Sequence, residues 1–193
     1  MATTTTMLSE HVYTATKAAF PAFEGNYLEI GIFNGIGTAD IARTFPDRKI
    51  FAVDPFIEDG YTTGASDLER GESLVSHKET AFAHLMPFSN VIIAPMTSKE
   101  FDNHLTAQDI IEYNISWVII DGSHHYEDVC IDGELAKRLI DCKRGGIVFD
   151  DLQHPGVLQA YEEFIERYSY RITQHFKLDY NEYCGVVELG GKL

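Results

Sequence analysis

Two short stretches hold most of the residues that could do chemistry: WVIIDGSHHYED at 117–128 and GGIVFDDLQHPG at 145–156. Each is an apolar run that stops abruptly at acids, Asp121 in the first and the adjacent pair Asp150 and Asp151 in the second. Like charges about 4 Å apart repel by roughly 4 kcal/mol at an effective dielectric near 20. Carboxylates gathered in one crevice therefore need a cation, and an all-oxygen set of Asp121, Asp150 and Asp151 favours Mg²⁺, Mn²⁺ or Ca²⁺ over zinc. His124, three residues after Asp121, is close enough in a turn to serve the same site. One geometric condition applies: successive strand residues point to opposite faces, so Asp150 and Asp151 reach one ion only if the strand is already ending there.

The elements that must position these groups follow from the hydrophobic pattern. Apolar, β-branched runs recur at 26–32, 49–54, 90–94, 115–121 and 145–150, and the segments between them have helical period, at about 8–20, 37–45, 67–85, 100–113, 127–143 and 156–168. Near-continuous apolar strands alternating with helices indicate a parallel sheet covered on both faces. Residues 170–180 and 182–190 instead read as an antiparallel hairpin joined tightly through Asn181. The expected fold is α/β, a Rossmann-like doubly wound seven-stranded sheet of five parallel strands and a C-terminal antiparallel hairpin, with helices on both faces. In such a sheet the carboxyl ends of neighbouring strands meet at one crevice, which would put Asp121 beside Asp150.

The 193 residues, 45% hydrophobic, suit one domain, 1–193, with an N-terminal helical segment at 1–25. Residues 57–75, rich in glycine and mixed charge, are the least regular stretch and could form a lid. A net charge of −15 argues against nucleic acid and against an anionic membrane surface, both of which call for basic patches. No run is long enough to span a bilayer and the start lacks the pattern of a signal peptide, so the expectation is a soluble, cytoplasmic protein acting on a small molecule. Cys130, Cys142 and Cys184 show no metal-type spacing and read as packing residues. The terminal hairpin and exposed helices offer surfaces for a homodimer.

In YLEIGIFNGIGTADIA, 27–42, a strand runs into glycines and then a helix, where open α/β sheets bind nucleotides. Gly31, Gly35 and Gly37 are spaced G-x-x-x-G-x-G, which is not the dinucleotide fingerprint and gives little support to a pyrophosphate cradle. The next strand ends at Asp54, an acid suited to a ribose diol. That pairing implies a nucleoside.

The E-I-G-x-F-x-G loop, Asp54, and the block IDGSHHYEDVCIDGELAKRLIDCKRGGIVFDD together resemble the class I S-adenosylmethionine-dependent methyltransferases. The nearest subgroup is the small metal-dependent O-methyltransferases that include sugar-methylating enzymes of macrolide and aminocoumarin biosynthesis. The resemblance implies that Glu29, Gly31, Phe33 and Gly35 surround the methionine end of S-adenosylmethionine and that Asp54 holds its ribose. It implies further that Asp121, Asp150 and Asp151 bind Mg²⁺ or another hard divalent cation, and that His124 is the base, with Asp121 shared between metal, cofactor and catalysis. Such proteins often carry an acid-serine pair near the adenine, where this chain has Met96, Thr97 and Ser98; Thr97 is the expected contact there.

Plainer roles compete for each residue. Asp150 or Asp151 could cap a helix starting near Pro155, Asp121-Gly122 could be a simple turn, and His124 could be solvated. His154 reads as a helix-start residue, His125 as a neighbour pointing elsewhere and Tyr126 as packing. A dehydrogenase would need a Tyr-x-x-x-Lys relay after the glycine loop, and the one match, Tyr13 to Lys17, precedes it. Two other readings stay open: a catalytically silent nucleoside- or metal-binding module, and a metal-dependent hydrolase or oxygenase using Asp121, His124 and His154. Phe56, Tyr61 and His77 are candidates for the acceptor wall.

Overall fold

The apolar runs form the strands of one sheet in the computed structural model, which describes residues 6–56, 74–140, 144–177 and 183–190. The parallel strands are β1 (Asn26–Ile30), β2 (Ile50–Val53), β3 (Val91–Ala94), β4 (Ile115–Ile120) and β5 (Gly145–Phe149), followed by β6 (Ile172–Lys177) and β7 (Gly185–Leu189). Their order is β3-β2-β1-β4-β5-β7-β6, with β7 antiparallel to both β5 and β6. The chain reverses its direction of winding between β1 and β4, the place where an open α/β sheet leaves a crevice at its carboxyl edge. The seven-stranded α/β fold is as expected from the sequence.

Helices α1 (Thr6–Ala19), α2 (Ile36–Thr44), α3 (Leu74–Leu85), α4 (Ser98–His104), α5 (Ala107–Tyr113), α6 (Tyr126–Ile140) and α7 (Pro155–Tyr168) cover the sheet. Strand alternation divides the core in two. Leu28, Ile30, Val118, Ile120, Ile147 and Phe149 face α6 and α7. Tyr27, Trp117, Ile119 and Val148 face α1 and α2, where Phe20 and Phe23 pack on Trp117. Trp117 also donates its indole N–H to Thr16 Oγ1 at 3.2 Å, fastening α1 to the sheet. Continuing the same alternation places Glu29, Asp121 and Asp150 on the α1 side.

One helix expected at 100–113 is two. Thr97 caps α4 and Thr106 caps α5, each in a reciprocal capping box with Glu100 and Asp109. Those pairs satisfy amides at both starts, so two short helices replace one long one. The signal, a threonine three residues before an acid, occurs twice between residues 97 and 109. The suggested lid falls mostly outside the described residues, as do Tyr61, Cys142, the Asn181 connection and the first turns expected of α3. Among the described residues no helix is long and apolar enough to cross a membrane.

Candidate active site

Asp54, Asp121, Asp150 and Asp151 lie just beyond strand ends, because β2, β4 and β5 stop one residue short of the apolar runs that announced them, while Glu29 lies within β1. The amide of Asp121 donates to Ile30 O at 2.8 Å and that of Asp150 to Ile120 O at 3.0 Å, which draws three strand ends together. Gly31 makes this approach feasible: at φ +83°, a Cβ there would lie 2.1 Å from the Asp121 carbonyl oxygen. Gly35, at φ +75°, turns the chain into α2. Asp151 is left-handed at φ +61°, so the strand has ended before it and the condition for Asp150 and Asp151 to face one site is met.

A cavity of about 420 Å³ opens at the carboxyl ends of β1, β2 and β4, with Gly31, Phe33, Asp54, Thr97, Asp121 and His124 in its lining. Phe56 and His77 also line it, and the ring of Phe33 lies 4.0 Å from that of His77. Phe33 itself is held at φ +49° and is 47% exposed. A bulky residue in that conformation is strained and persists only where its surroundings enforce it. Asp54 does so, since its Oδ2 accepts from the amides of Ile32 (2.9 Å) and Phe33 (3.1 Å), while Oδ1 accepts from Phe56 N at 2.8 Å. A carboxylate offers about four acceptor sites, so Asp54 keeps about one for a ligand.

Glu29 and Gly35, expected around the cofactor, lie outside this lining. Glu29 is fully buried and accepts from Tyr13 Oη at 2.5 Å and Tyr27 Oη at 3.1 Å. Burial raises its carboxyl from 4.5 to about 7, against the opposing pull of these phenols. Thr97 does line the cavity, but its hydroxyl donates to Glu100 Oε2 and accepts from Glu100 N, so it is committed to capping.

Burial, then the charges of Asp150, Asp151, Glu29 and Asp54, push the Asp121 carboxyl well above the usual carboxylate range. Burial and Asp151 push Asp150 up to about 6, although the Cys184 thiol (2.7 Å) and the Asp151 amide (2.9 Å) both donate to its Oδ1. Burial acts upward on Asp151 too, but hydrogen bonds from His124 and Gln153 outweigh it and hold the carboxyl below its ordinary value. His124 Nε2 stands 2.9 Å from Asp151 Oδ2, and the His154 ring stacks on that of His124 at 3.9 Å.

His154 is the N-cap residue of α7, ahead of Pro155, so neither Asp150 nor Asp151 occupies that position. It is also more than a helix-start residue. Among the described residues, the group whose ligand atoms all fall within 4.8 Å of one another is His124, Asp151 and His154. The expected trio of Asp121, Asp150 and Asp151 shares only Asp151 with it. His125 is exposed and does not line the cavity, and Tyr126 spends its hydroxyl on Glu163 at 2.6 Å.

Residues 28–152, which carry the glycine loop, Asp54 and all three acids, match the family described as a methyltransferase domain. The chain belongs to that methyltransferase family. No curated protein matches it by sequence. Among solved structures it is similar to a Staphylococcus aureus protein assigned as a caffeoyl-CoA O-methyltransferase, with TM-score 0.64 and 13% identity over 98% of this chain and 85% of that one. It is similar also to CalS11, a TDP-rhamnose 3′-O-methyltransferase of calicheamicin biosynthesis, with TM-score 0.60 and 16% identity over 92% and 79%. The N-methyltransferase NodS from Bradyrhizobium japonicum WM9, solved with S-adenosyl-L-homocysteine, gives TM-score 0.56 and 12% identity over 97% and 89%. At these identities the structures establish the fold, that of class I S-adenosylmethionine-dependent methyltransferases.

The methyltransferase's cavity suits that cofactor. It is apolar over most of its wall, with Asp54 at the end of β2 and acid concentrated at the end of β4 where a sulfonium would be favoured. A divalent cation also suits the adjoining acids, because burial and then the charges of Asp150 and Asp151 raise Asp121, burial and then Asp151 raise Asp150, and a positive ion would relieve that repulsion.

Proposed function

We propose that this methyltransferase transfers the methyl group of S-adenosylmethionine to a hydroxyl oxygen of a small acceptor such as a sugar or diol. The observation that carries the reading is the position of His124. It lines the same cavity as Gly31, Asp54 and Asp121, and its Nε2 faces a carboxylate 2.9 Å away. A carboxylate only accepts, so Asp151 fixes the hydrogen on Nε2 and leaves Nδ1 as the basic nitrogen.

Bound S-adenosylmethionine supplies a methyl carbon on a positively charged sulfur. Its sulfur would keep the electron pair of the carbon–sulfur bond as the methyl carbon bonded to the acceptor oxygen. The thioether leaves without help, so the acceptor's proton is the difficulty, and His124 takes it. Phe33, Phe56 and His77 add aromatic wall to the same cavity. A hard divalent cation such as Mg²⁺, held by Asp121, Asp150 and Asp151, would add Lewis acidity at the hydroxyl. The closeness of His154 to His124 and Asp151 favours a second reading, in which two imidazoles and one carboxylate suit a borderline first-row ion and His124 would be a ligand in place of the base. A charge of −15 favours a small acceptor over RNA.

The test is a screen of sugars, diols, catechols and small primary amines with radiolabelled S-adenosylmethionine and excess Mg²⁺. Label in an acceptor that loses a hydroxyl proton supports O-methylation. Label in amines alone would overturn it.

A further inference from the structure

Asp132 is a buried acid that the chemistry above does not use. It sits on α6, is 2% exposed, and faces the cavity beside Ile131, Ser98 and Gly122. The Ser98 hydroxyl hydrogen-bonds to its carboxylate, yet Oδ1 is buried with no hydrogen-bond partner among the described residues. A carboxylate oxygen left unpaired away from water carries a full desolvation penalty. Burial raises the group to about 7, against the pull of Ser98. A cost of this kind at a cavity wall is relieved by a ligand that brings a donor.

The cavity's other polar groups limit which part of the cofactor that donor belongs to. Asp54 stands at the end of β2 for the ribose, and Asp121 and His124 stand at the reacting end. The stretch Pro95 to Ser98 after β3 contains no acid, and the Thr97 hydroxyl is used up in capping α4. What remains of the nucleoside is its base, and adenine presents one exocyclic amino group. We propose that the Asp132 carboxylate accepts a hydrogen bond from the exocyclic amino group of the cofactor's adenine, making this helix residue the determinant of base specificity. The inference rests on the cofactor reading above. Ionised, above its raised value of about 7, the carboxylate accepts only, so with the titration run at about pH 8.5 it favours an amino group at that position and repels an oxo group.

Calorimetric titration of S-adenosylhomocysteine and of its 6-oxo counterpart, S-inosylhomocysteine, into the wild type tests this without any variant. The expected result is at least about 30-fold weaker binding of the inosyl compound, as for sites built to bond a polar group. In D132N, whose amide can donate to an oxo group, the discrimination is expected to collapse to within about threefold. A purely structural role would lower both affinities together and leave their ratio unchanged, which would overturn the proposal. Equal binding of the two compounds by the wild type would overturn it while leaving the cofactor reading intact. Failure of the wild type to bind either would remove both.

Discussion

His124 and Asp151 are joined by a 2.9 Å contact between Nε2 and Oδ2, although 27 residues separate them. The partnership depends on the left-handed turn at Asp151, which lifts its carboxylate off the end of β5 and toward the β4–α6 loop. If this pair takes the acceptor's proton, His124→Gln lowers kcat by about 100-fold or more while S-adenosylhomocysteine binding stays within about threefold. Asp151→Asn, which loses the charge that orients the imidazole, lowers kcat as well. Steady-state kinetics beside calorimetry checks both, and equal losses in kcat and cofactor affinity would point to a collapsed loop instead.

The metal can be assigned by the ligands whose loss removes it. With an all-oxygen centre, Asp121→Asn and Asp150→Asn abolish Mg²⁺ stimulation and His154→Ala retains it. Elemental analysis and Mn²⁺ titration followed by electron paramagnetic resonance read the outcome. Loss of the ion in His154→Ala, with retention in Asp150→Asn, would transfer the site to His124, Asp151 and His154.

Folding stability should fall as pH rises through Glu29. Its carboxyl is raised from 4.5 to about 7 by burial. A group whose folded value is raised contributes fully below its unfolded value, and that contribution is lost as pH climbs toward 7. The loss is on the order of 3 kcal/mol from a shift of this size. Glu29→Gln should therefore flatten the profile between about pH 4.5 and 7, as measured by urea denaturation at several pH values. A wild-type profile that rises over that range would contradict the placement of this group.

Asp54→Ala removes the acceptor for the amides of Ile32, Phe33 and Phe56 together. Leaving such donors unmatched costs about 1–3 kcal/mol each where they are buried; here the loop is partly exposed, so the expected loss of stability is about 2 kcal/mol. Cofactor affinity should fall more than tenfold because Phe33 and the glycine loop lose their hold. Unchanged affinity would mean the loop is shaped by something else.

Much of this was legible in the chain because strand periodicity and the glycine-to-helix transition are local signals. WVIID and GIVFDD announced both the buried strands and the acids at their ends. The split of α4 from α5 was also written locally, in Thr97 with Glu100 and Thr106 with Asp109, but helical period alone bridges so short a break. What was not legible depends on distance in the fold. Glu29 sits behind the cavity because Tyr13 of α1 and Tyr27 reach it, and no spacing in the sequence specifies that meeting. The stacking of His154 on His124 needs α7 to begin near the β4–α6 loop, and the place of Asp132 in the cavity wall depends on the packing of α6 against α4.

The central claim is that the cavity at the ends of β1, β2 and β4 holds S-adenosylmethionine. Calorimetric titration of S-adenosylhomocysteine into the wild type and Asp54→Ala addresses it most directly. The account predicts binding at one site per chain with micromolar affinity, weakened more than tenfold in the variant. Absence of binding to the wild type at millimolar ligand, with and without Mg²⁺, would contradict it.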